Sequence, residues 1–218
     1  MSSIRVLLAD DHVIVREGLR ALLDAQPEIE VVGEAGNGRE AVRQVKKLKP
    51  DVVILDVAMP ELNGIEATAQ IHALRSETRV IILSMYSTRE HIYRALKAGA
   101  RGYLLKESAA QEVLEAVREV AAGRQYLSEK VSSEVLDAFL EGADRAAVES
   151  PLERLSSRER QILQLVAEGR SSAEIAKLLF LSSKTIDTYR SRLMRKLGIG
   201  DLAGLVRFAI EHGIVASS

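Results

Sequence analysis

Asp10 and Asp11 stand side by side after a short apolar run, Ile4–Ala9. Asp56 follows a second run, Val52–Leu55; Ser84 follows Val80–Leu83; Lys106 follows Gly102–Leu105. Three carboxylates brought together repel one another unless a cation lies among them. The chain has no cysteine and no histidine pair at ligand spacing, so a hard, oxygen-seeking ion fits best. Mg2+ takes a few carboxylates together with water and phosphate oxygens. One carboxylate is also a candidate nucleophile, since aspartyl phosphate is an established type of covalent intermediate. With Asp56 in that role, Mg2+ and Lys106 would neutralise the arriving phosphoryl group and the Ser84 hydroxyl would hydrogen-bond it. The added charge would draw a hydroxyl-bearing loop inward, leaving space that Tyr103, an aromatic on the fifth run, is placed to fill. Singly, each residue has a plainer role: an Asp at a strand end is commonly a helix cap, Ser84 alone means nothing, and Tyr103 alone is a half-buried core ring. Joint placement at successive strand ends is what points to chemistry.

The elements that must position these residues alternate. Five apolar runs, the four above and Val31–Ala35, are rich in Val, Ile and Leu and predict strands buried on both faces. Between them lie segments with helical spacing, roughly 12–25, 38–48, 63–74, 88–97 and 109–122. Five strands alternating with five helices predict a doubly wound α/β fold: a five-stranded parallel sheet joined by right-handed crossovers, with helices on both faces. Ligands of such sheets sit at the carboxyl ends of the strands, where the acids, Ser84 and Lys106 fall.

Beyond residue 124 the character changes. Ser128 is a candidate cap for a helix running to about Leu140. The acidic, Ala-rich stretch Glu141–Pro151 predicts an inter-domain linker. From Leu152 onward only helical patterns occur, roughly 157–168, 172–179, 183–197 and 201–212, with Gly169 and Gly198 as candidate C-caps. The expected division is therefore 1–124, a connector over 125–151, and a small all-α domain over 152–218.

Hydrophobic residues make up 47% of the 218 and charged residues 28%, which excludes a disordered chain. The absence of cysteine excludes disulfides and thiolate chemistry. No apolar stretch is long enough to span a bilayer and the N-terminus lacks a signal-peptide pattern, so no membrane partner and a cytoplasmic location are expected. The net charge of −1 conceals a split. Residues 1–124 carry 17 Lys/Arg and 18 Asp/Glu, residues 125–150 carry 2 and 6, and residues 151–218 carry 11 and 7. The basic excess lies at the C-terminal end, where a polyanion partner belongs.

On a helix over Ser183–Leu197, at about 100° per residue, Ile186, Leu193 and Leu197 fall on one line and predict a buried stripe. Lys184, Thr188, Ser191 and Arg195 cluster opposite, with Asp187 and Arg192 at the margins. Such a face suits a DNA major groove, though charge alone fits a merely solvated face equally well. The preceding helix, Ser172–Leu179, carries the small Ala176 for close packing, and Phe180-Leu181-Ser182 would form the turn.

Two resemblances gather these features. Leu8-Ala9-Asp10-Asp11-His12, Asp56-Val57-Ala58-Met59-Pro60, Gly64, Ser84 and Lys106 resemble a response-regulator receiver domain, a flavodoxin-like fold, over about residues 3–122. The addition of Val15-Arg16-Glu17-Gly18-Leu19 is similar to the NarL/FixJ subgroup, and Gly99-Ala100-Arg101-Gly102-Tyr103 resembles the loop entering the fifth strand. The resemblance implies that Asp56 accepts phosphate from a sensor histidine kinase. It implies that Asp11, Asp56 and the Ala58 carbonyl bind Mg2+ with Asp10 acting partly through water, that Ser84 and Tyr103 are a switch pair, and that Lys106 pairs with the phosphate. His12 is expected to start a helix. Met85 is bulkier than the small residue common in receivers, and Ala58 lacks a polar side chain. Leu155-Ser156-Ser157-Arg158-Glu159, Glu174-Ile175-Ala176, Ser182-Ser183-Lys184-Thr185-Ile186 and Arg195-Lys196-Leu197-Gly198 resemble a LuxR-type helix-turn-helix over about 152–216. That implies binding of double-stranded DNA with 183–197 as recognition helix. Lys184, Asp187, Thr188 and Ser191 would face bases, and Thr185, Tyr189 and Arg192 the backbone. Asp187 departs from the basic residue often found there; an acid repels phosphate but accepts from a cytosine amino group.

The combined expectation is a transcription regulator of a two-component system, switched by phosphorylation on Asp56 and acting as a homodimer when phosphorylated. The phosphate would shift the surface around the fourth helix, fifth strand and fifth helix, which then dimerises or releases the DNA-binding domain. The last helix would pack on its own domain or extend into a dimer. Three alternatives stand beside this: an aspartyl-phosphate phosphatase, against which Ala58 replaces the usual second acid; a constitutive DNA-binding protein with a vestigial receiver; and, for the C-terminal part, a sigma-factor-like helix-turn-helix.

Overall fold

The structure is a computed structural model that describes residues 3–75, 77–108, 110–140 and 150–215. The chain divides into two compact units, residues 1–148 and 149–218. The expected linker lies outside the described residues except for its end, Ser150 and Pro151.

The first unit runs β1 (Ile4–Ala9), α1 (Val13–Asp24), β2 (Ile29–Ala35), α2 (Gly38–Leu48), β3 (Val52–Asp56), α3 (Gly64–Leu74), β4 (Arg79–Ser84), α4 (Arg89–Lys97), β5 (Gly102–Leu105), α5 (Ala110–Ala121), β6 (Tyr126–Leu127) and α6 (Glu129–Leu140). The strands form one parallel sheet in the order β2-β1-β3-β4-β5-β6. Successive residues of a strand point to opposite faces, and both faces are apolar. Leu7, Ala9, Val53 and Leu55 meet Ala41, Val45, Ala67, Ile71, Ile92 and Ala95 from α2, α3 and α4. Val6, Leu8, Val52 and Ile54 meet Leu23, Val113, Leu114 and Val117 from α1 and α5. Those continuous Val/Ile/Leu runs are what make the strands legible.

Among the described residues the sheet has six strands where five were expected. After α5, Gly123 turns the chain at φ +88°, and Tyr126–Leu127 pairs parallel to Gly102–Tyr103 of β5. Two residues are too few to show a periodicity, so the strand has no sequence signature of its own. The helix after it begins at Glu129, but the buried Ser128 hydroxyl makes no hydrogen bond, so it does not act as the expected cap. β2 also starts earlier than read, at Ile29.

The second unit opens with a 3-10 turn, Pro151–Arg154, followed by α7 (Ser157–Ala167), α8 (Ser172–Leu179), α9 (Ser183–Leu197) and α10 (Leu202–Glu211). Each start is chemically marked. Ser156 with Glu159, and Ser171 with Glu174, form capping boxes, and the Ser182 and Asp201 side chains cap α9 and α10. Gly169 (φ +79°) and Gly198 (φ +69°) close α7 and α9 in the left-handed conformation. Leu152, Leu155, Ile162, Leu163, Ile175, Leu179, Ile186, Leu193, Leu205 and Ala209 fill a separate core. Among the described residues no helix is long and apolar enough to cross a membrane.

Candidate functional site

Strand register brings the acids together. Ala9 pairs with Leu55, Asp56 with Leu83, and Ser84 with Leu105. Asp10, Asp56, Ser84 and Lys106 therefore reach one edge of the sheet, and Asp10 and Asp56 flank the point between β1 and β3 where the strand order reverses.

Asp10 and Asp56 are 2% and 3% exposed, and buried charges need partners. Lys106 supplies both: its Nζ lies 2.7 Å from Asp10 Oδ2 and 3.0 Å from Asp56 Oδ2. Burial pushes the Asp56 carboxyl above its ordinary pKa, against the pull of Lys106 and with the nearby Asp10 charge adding to the rise. Burial works to lower Lys106, but its bond to Asp10 and the two carboxylate charges outweigh that and leave it raised. Asp11 is more open. Its Oδ1 meets His12 Nδ1 at 2.9 Å, and the same nitrogen lies 3.0 Å from Asp10 Oδ1. Asp10, Asp11, His12 and Asp56 each place one potential ligand atom within 4.8 Å of the others. Three of the four are carboxylates, a donor set for a hard cation.

The loop after β3 is held by close backbone contact. Gly64 N donates to Val57 O at 2.9 Å, and a Cβ on Gly64 would stand 2.0 Å from the Asp56 carbonyl oxygen. Only glycine lets α3 start so near the end of β3. Asn63 caps α3 by accepting from Glu66 N at 2.9 Å. Ala58 lies half-buried on this loop.

Ser84 and Tyr103 are fully buried. The Ser84 hydroxyl accepts from Tyr86 N at 3.0 Å, and the Tyr103 hydroxyl donates to Tyr86 O at 2.6 Å. Tyr103 thus points inward, tied to the loop that carries Ser84. Tyr86 stacks on His91 with ring centroids 4.6 Å apart. Met85 stands out to solvent at 74% exposure.

The face made by α4 and β5 is partly covered by this chain's own connector. Val131 of α6 is fully buried in the core that contains Tyr103, Ile92 and Ala95. Ser128 N donates to Tyr103 O at 3.1 Å. Two ion pairs flank the seat, Arg89–Glu134 at 3.6 Å and Lys130–Glu107 at 2.9 Å. Sequence reasoning missed this seat, together with Tyr86, the carboxylate contacts of His12 and Arg16, whose Nη1 donates to the main-chain oxygen of Asp10 at 2.6 Å. His12 adjoins the acidic pair and Tyr86 follows Ser84 by two, so proximity in sequence was the one available signal.

In the second unit, α9 buries Ile186 and Leu193; Leu197, expected in the same stripe, is half-buried because it ends the helix. Lys184, Asp187, Thr188, Ser191, Arg192 and Arg195 are exposed together. Thr185 and Tyr189 are half-buried; Thr185 Oγ1 lies 2.8 Å from Ser182 Oγ, and the Arg192 guanidinium lies 5.8 Å from the Tyr189 ring centre. Thr188 Oγ1 donates back to Lys184 O at 2.9 Å. Asp187 Oδ1 accepts from Ser172 Oγ at 2.6 Å, and Arg190 Nη1 donates to the same Ser172 oxygen at 3.1 Å. At the other end of α9, Lys196 Nζ bonds Glu159 Oε2 at 2.7 Å, which ties α9 to the capping box of α7.

Two family models match the chain. The response regulator receiver domain matches residues 6–118, and the luxR family of bacterial regulatory proteins matches residues 153–209. The transcriptional regulatory protein LiaR of Bacillus subtilis is 41% identical over 212 residues, 97% of this chain and 99% of that one. A LuxR-family two-component response regulator from an Aurantimonas species has a solved structure that is 36% identical, with a TM-score of 0.62 over 64% of this chain and 99% of its own. The RcsB response regulator of Salmonella typhimurium, whose structure is described in terms of DNA interaction, is 29% identical with a TM-score of 0.60 over 95% and 98% of the two chains. A doubly wound sheet with an acidic, lysine-paired edge, a helix-turn-helix with a basic face, and these matches agree: the chain belongs to the two-component response regulators that join a receiver to a LuxR-type DNA-binding domain.

Proposed function

We propose that Asp56 is the phosphoacceptor of a cytoplasmic, DNA-binding transcription regulator, and that a sensor histidine kinase is the donor. The observation that carries this reading is Lys106, seated between Asp10 and Asp56 with its charge spanning both. One Asp56 oxygen attacks the phosphorus; the bond to the donor's imidazole nitrogen breaks and the imidazole leaves with the electron pair. Asp10, Asp11, Asp56 and the Ala58 carbonyl are the residues that would hold Mg2+, which when bound screens the carboxylates from the incoming phosphate. Lys106 then pairs with a phosphoryl oxygen. The chemistry is confined to the chain's own phosphorylation and dephosphorylation.

The signal leaves the site through Ser84. Its hydroxyl is engaged by Tyr86 N in the unphosphorylated form. Turned toward a phosphoryl oxygen, it draws the Tyr86 segment with it, and Tyr103 follows through its bond to Tyr86 O. Tyr103 shares its packing with Val131, so the connector α6 feels the change. In the second unit, Lys184, Thr188 and Ser191 face bases, and Thr185, Tyr189 and Arg192 face phosphates. Leu202 and Ile210 of α10 are 50% and 39% exposed, an apolar face suited to a second copy in a phosphorylation-dependent homodimer on inverted half-sites.

The test is labelling with acetyl phosphate and Mg2+, followed by footprinting with and without beryllofluoride. Wild-type chain takes up label and Asp56→Asn does not; label persisting at full stoichiometry in the variant refutes the assignment. Equal footprints with and without beryllofluoride refute phosphorylation control.

A further inference from the structure

Asp187 is the acid on an otherwise basic, DNA-facing helix, and its position suggests a base reader. Its contacts point elsewhere. At about 100° per residue, Asp187 lies at the edge of the exposed face that carries Lys184 and Ser191, and Arg190 lies a further step round α9, toward the buried Ile186 and Leu193. Both converge on one atom of the neighbouring helix. Ser172, the first residue of α8, donates its hydroxyl proton to Asp187 Oδ1 at 2.6 Å and accepts from Arg190 Nη1 at 3.1 Å. The hydroxyl's one proton and one of its two lone pairs are used, and the carboxylate and guanidinium one turn apart are bridged through it.

We infer that Asp187 is a specificity-determining positioning residue: together with Ser172 and Arg190 it fixes the angle of the recognition helix, and its charge penalises binding to any duplex. The first effect follows from geometry. Base readout requires side chains to meet base edges within hydrogen-bonding distance; Ile186 and Leu193 seat α9 in the core and Lys196 ties its C-terminal end to Glu159, while the Ser172 bridge fastens its N-terminal half to α8. The second follows from charge. A carboxylate near the phosphates repels them whatever the sequence, and sequence-independent affinity is set by phosphate neutralisation. The two effects act on different quantities, which makes them separable. The inference rests on the reading of α9 as the recognition helix.

The experiment uses the full chain with beryllofluoride and two probes: a duplex selected by the wild-type chain from a random-sequence pool, and a mixed-sequence duplex of the same length. Ser172→Ala removes the bridge and keeps the charge, so discrimination between the probes falls by about tenfold, the worth of one hydrogen bond to a charged group. Asp187→Asn keeps an acceptor for Ser172 and removes the charge, so discrimination is retained while affinity for the mixed duplex rises. Asp187→Ala loses discrimination and gains mixed-duplex affinity together. The Ser172→Ala/Asp187→Ala double variant discriminates no worse than either single one, because both remove the same contact. A base-reading Asp187 gives the opposite pattern: both Asp187 variants change preference at one base pair and Ser172→Ala is silent. That result overturns the inference while leaving the DNA-binding function standing. A wild-type chain that selects no duplex from the pool refutes that function and this inference with it.

Discussion

The Tyr103 hydroxyl donates to the main-chain oxygen of Tyr86 at 2.6 Å, so a side chain on β5 is fastened to the loop that leaves β4. Burial, with the charge of Asp56 and Tyr86 adding and the Ser84 hydroxyl opposing, pushes its pKa up to about 12. Tyr103 therefore stays a neutral donor across the working range. Tyr103→Phe keeps the ring and removes the donor. It is expected to lower stability by about 1 kcal/mol, to leave labelling of Asp56 intact, and to shrink the beryllofluoride-dependent change in DNA affinity. An unchanged beryllofluoride response in this variant would show that the hydroxyl carries none of the signal.

Asp56 gives the first unit a pH dependence of definite sign. Its folded-state pKa is raised by burial, so the folded form holds a proton that the unfolded chain has already released. The stability that Asp56 contributes is complete below the ordinary carboxylate value of 3.8 and is lost as pH rises through the raised folded value. Urea unfolding of the metal-free protein should show this decline in the wild type and a flatter profile in Asp56→Asn, with the variant the more stable of the two near neutrality. Adding Mg2+ near neutrality should raise the wild-type midpoint and leave that of Asp56→Asn almost unmoved. Parallel profiles for the two proteins would remove Asp56 as the source.

The parts of this molecule that the sequence disclosed are those with a period or a fixed spacing. The β1, β3, β4 and β5 runs are buried on both faces over most of their length, whereas β2, at the sheet edge, carries Glu30 and Glu34; Asp10, Asp56, Ser84 and Lys106 end the central runs where the register places them side by side. What stayed hidden has no local pattern. β6 is two residues long, and Val131 looks like any apolar residue on a short helix until its burial beside Tyr103 is seen. The bond from Ser172 to Asp187 joins two helices, so spacing along α9 could not show it. Cross-element contacts leave no trace in spacing, and the contacts that link Ser84, Tyr86, Tyr103 and Val131 are of this kind.

Gly64 tests how tightly Asp56 is held. A Cβ there meets the Asp56 carbonyl oxygen at 2.0 Å, a main-chain atom that cannot rotate aside. Gly64→Ala forces α3 away from the end of β3 and costs about 1–3 kcal/mol as an overpacked contact. Because the displaced atom belongs to Asp56 itself, labelling by acetyl phosphate should slow more than in a variant of equal stability elsewhere in the sheet, such as Ile81→Val. Equal labelling rates in the two proteins would show that the close approach serves folding alone.

The connector seat yields the most discriminating test of how phosphate reaches the second unit. Exposed ion pairs contribute little, so Lys130–Glu107 and Arg89–Glu134 cannot hold α6 by themselves; Val131, fully buried, must. Val131→Ala should cost about 1–3 kcal/mol in the first unit, whereas Lys130→Ala should stay within about 0.5 kcal/mol. If α6 is seated by the Tyr103 face in the unphosphorylated form, loosening Val131 should imitate phosphorylation. Amides of residues 129–137 should then exchange faster without beryllofluoride, and DNA affinity of the untreated variant should move toward the treated wild-type value. Faster exchange with no shift in DNA affinity would mean that α6 stabilises the receiver but does not carry its signal, and the route to the recognition helix would then have to bypass the connector seat.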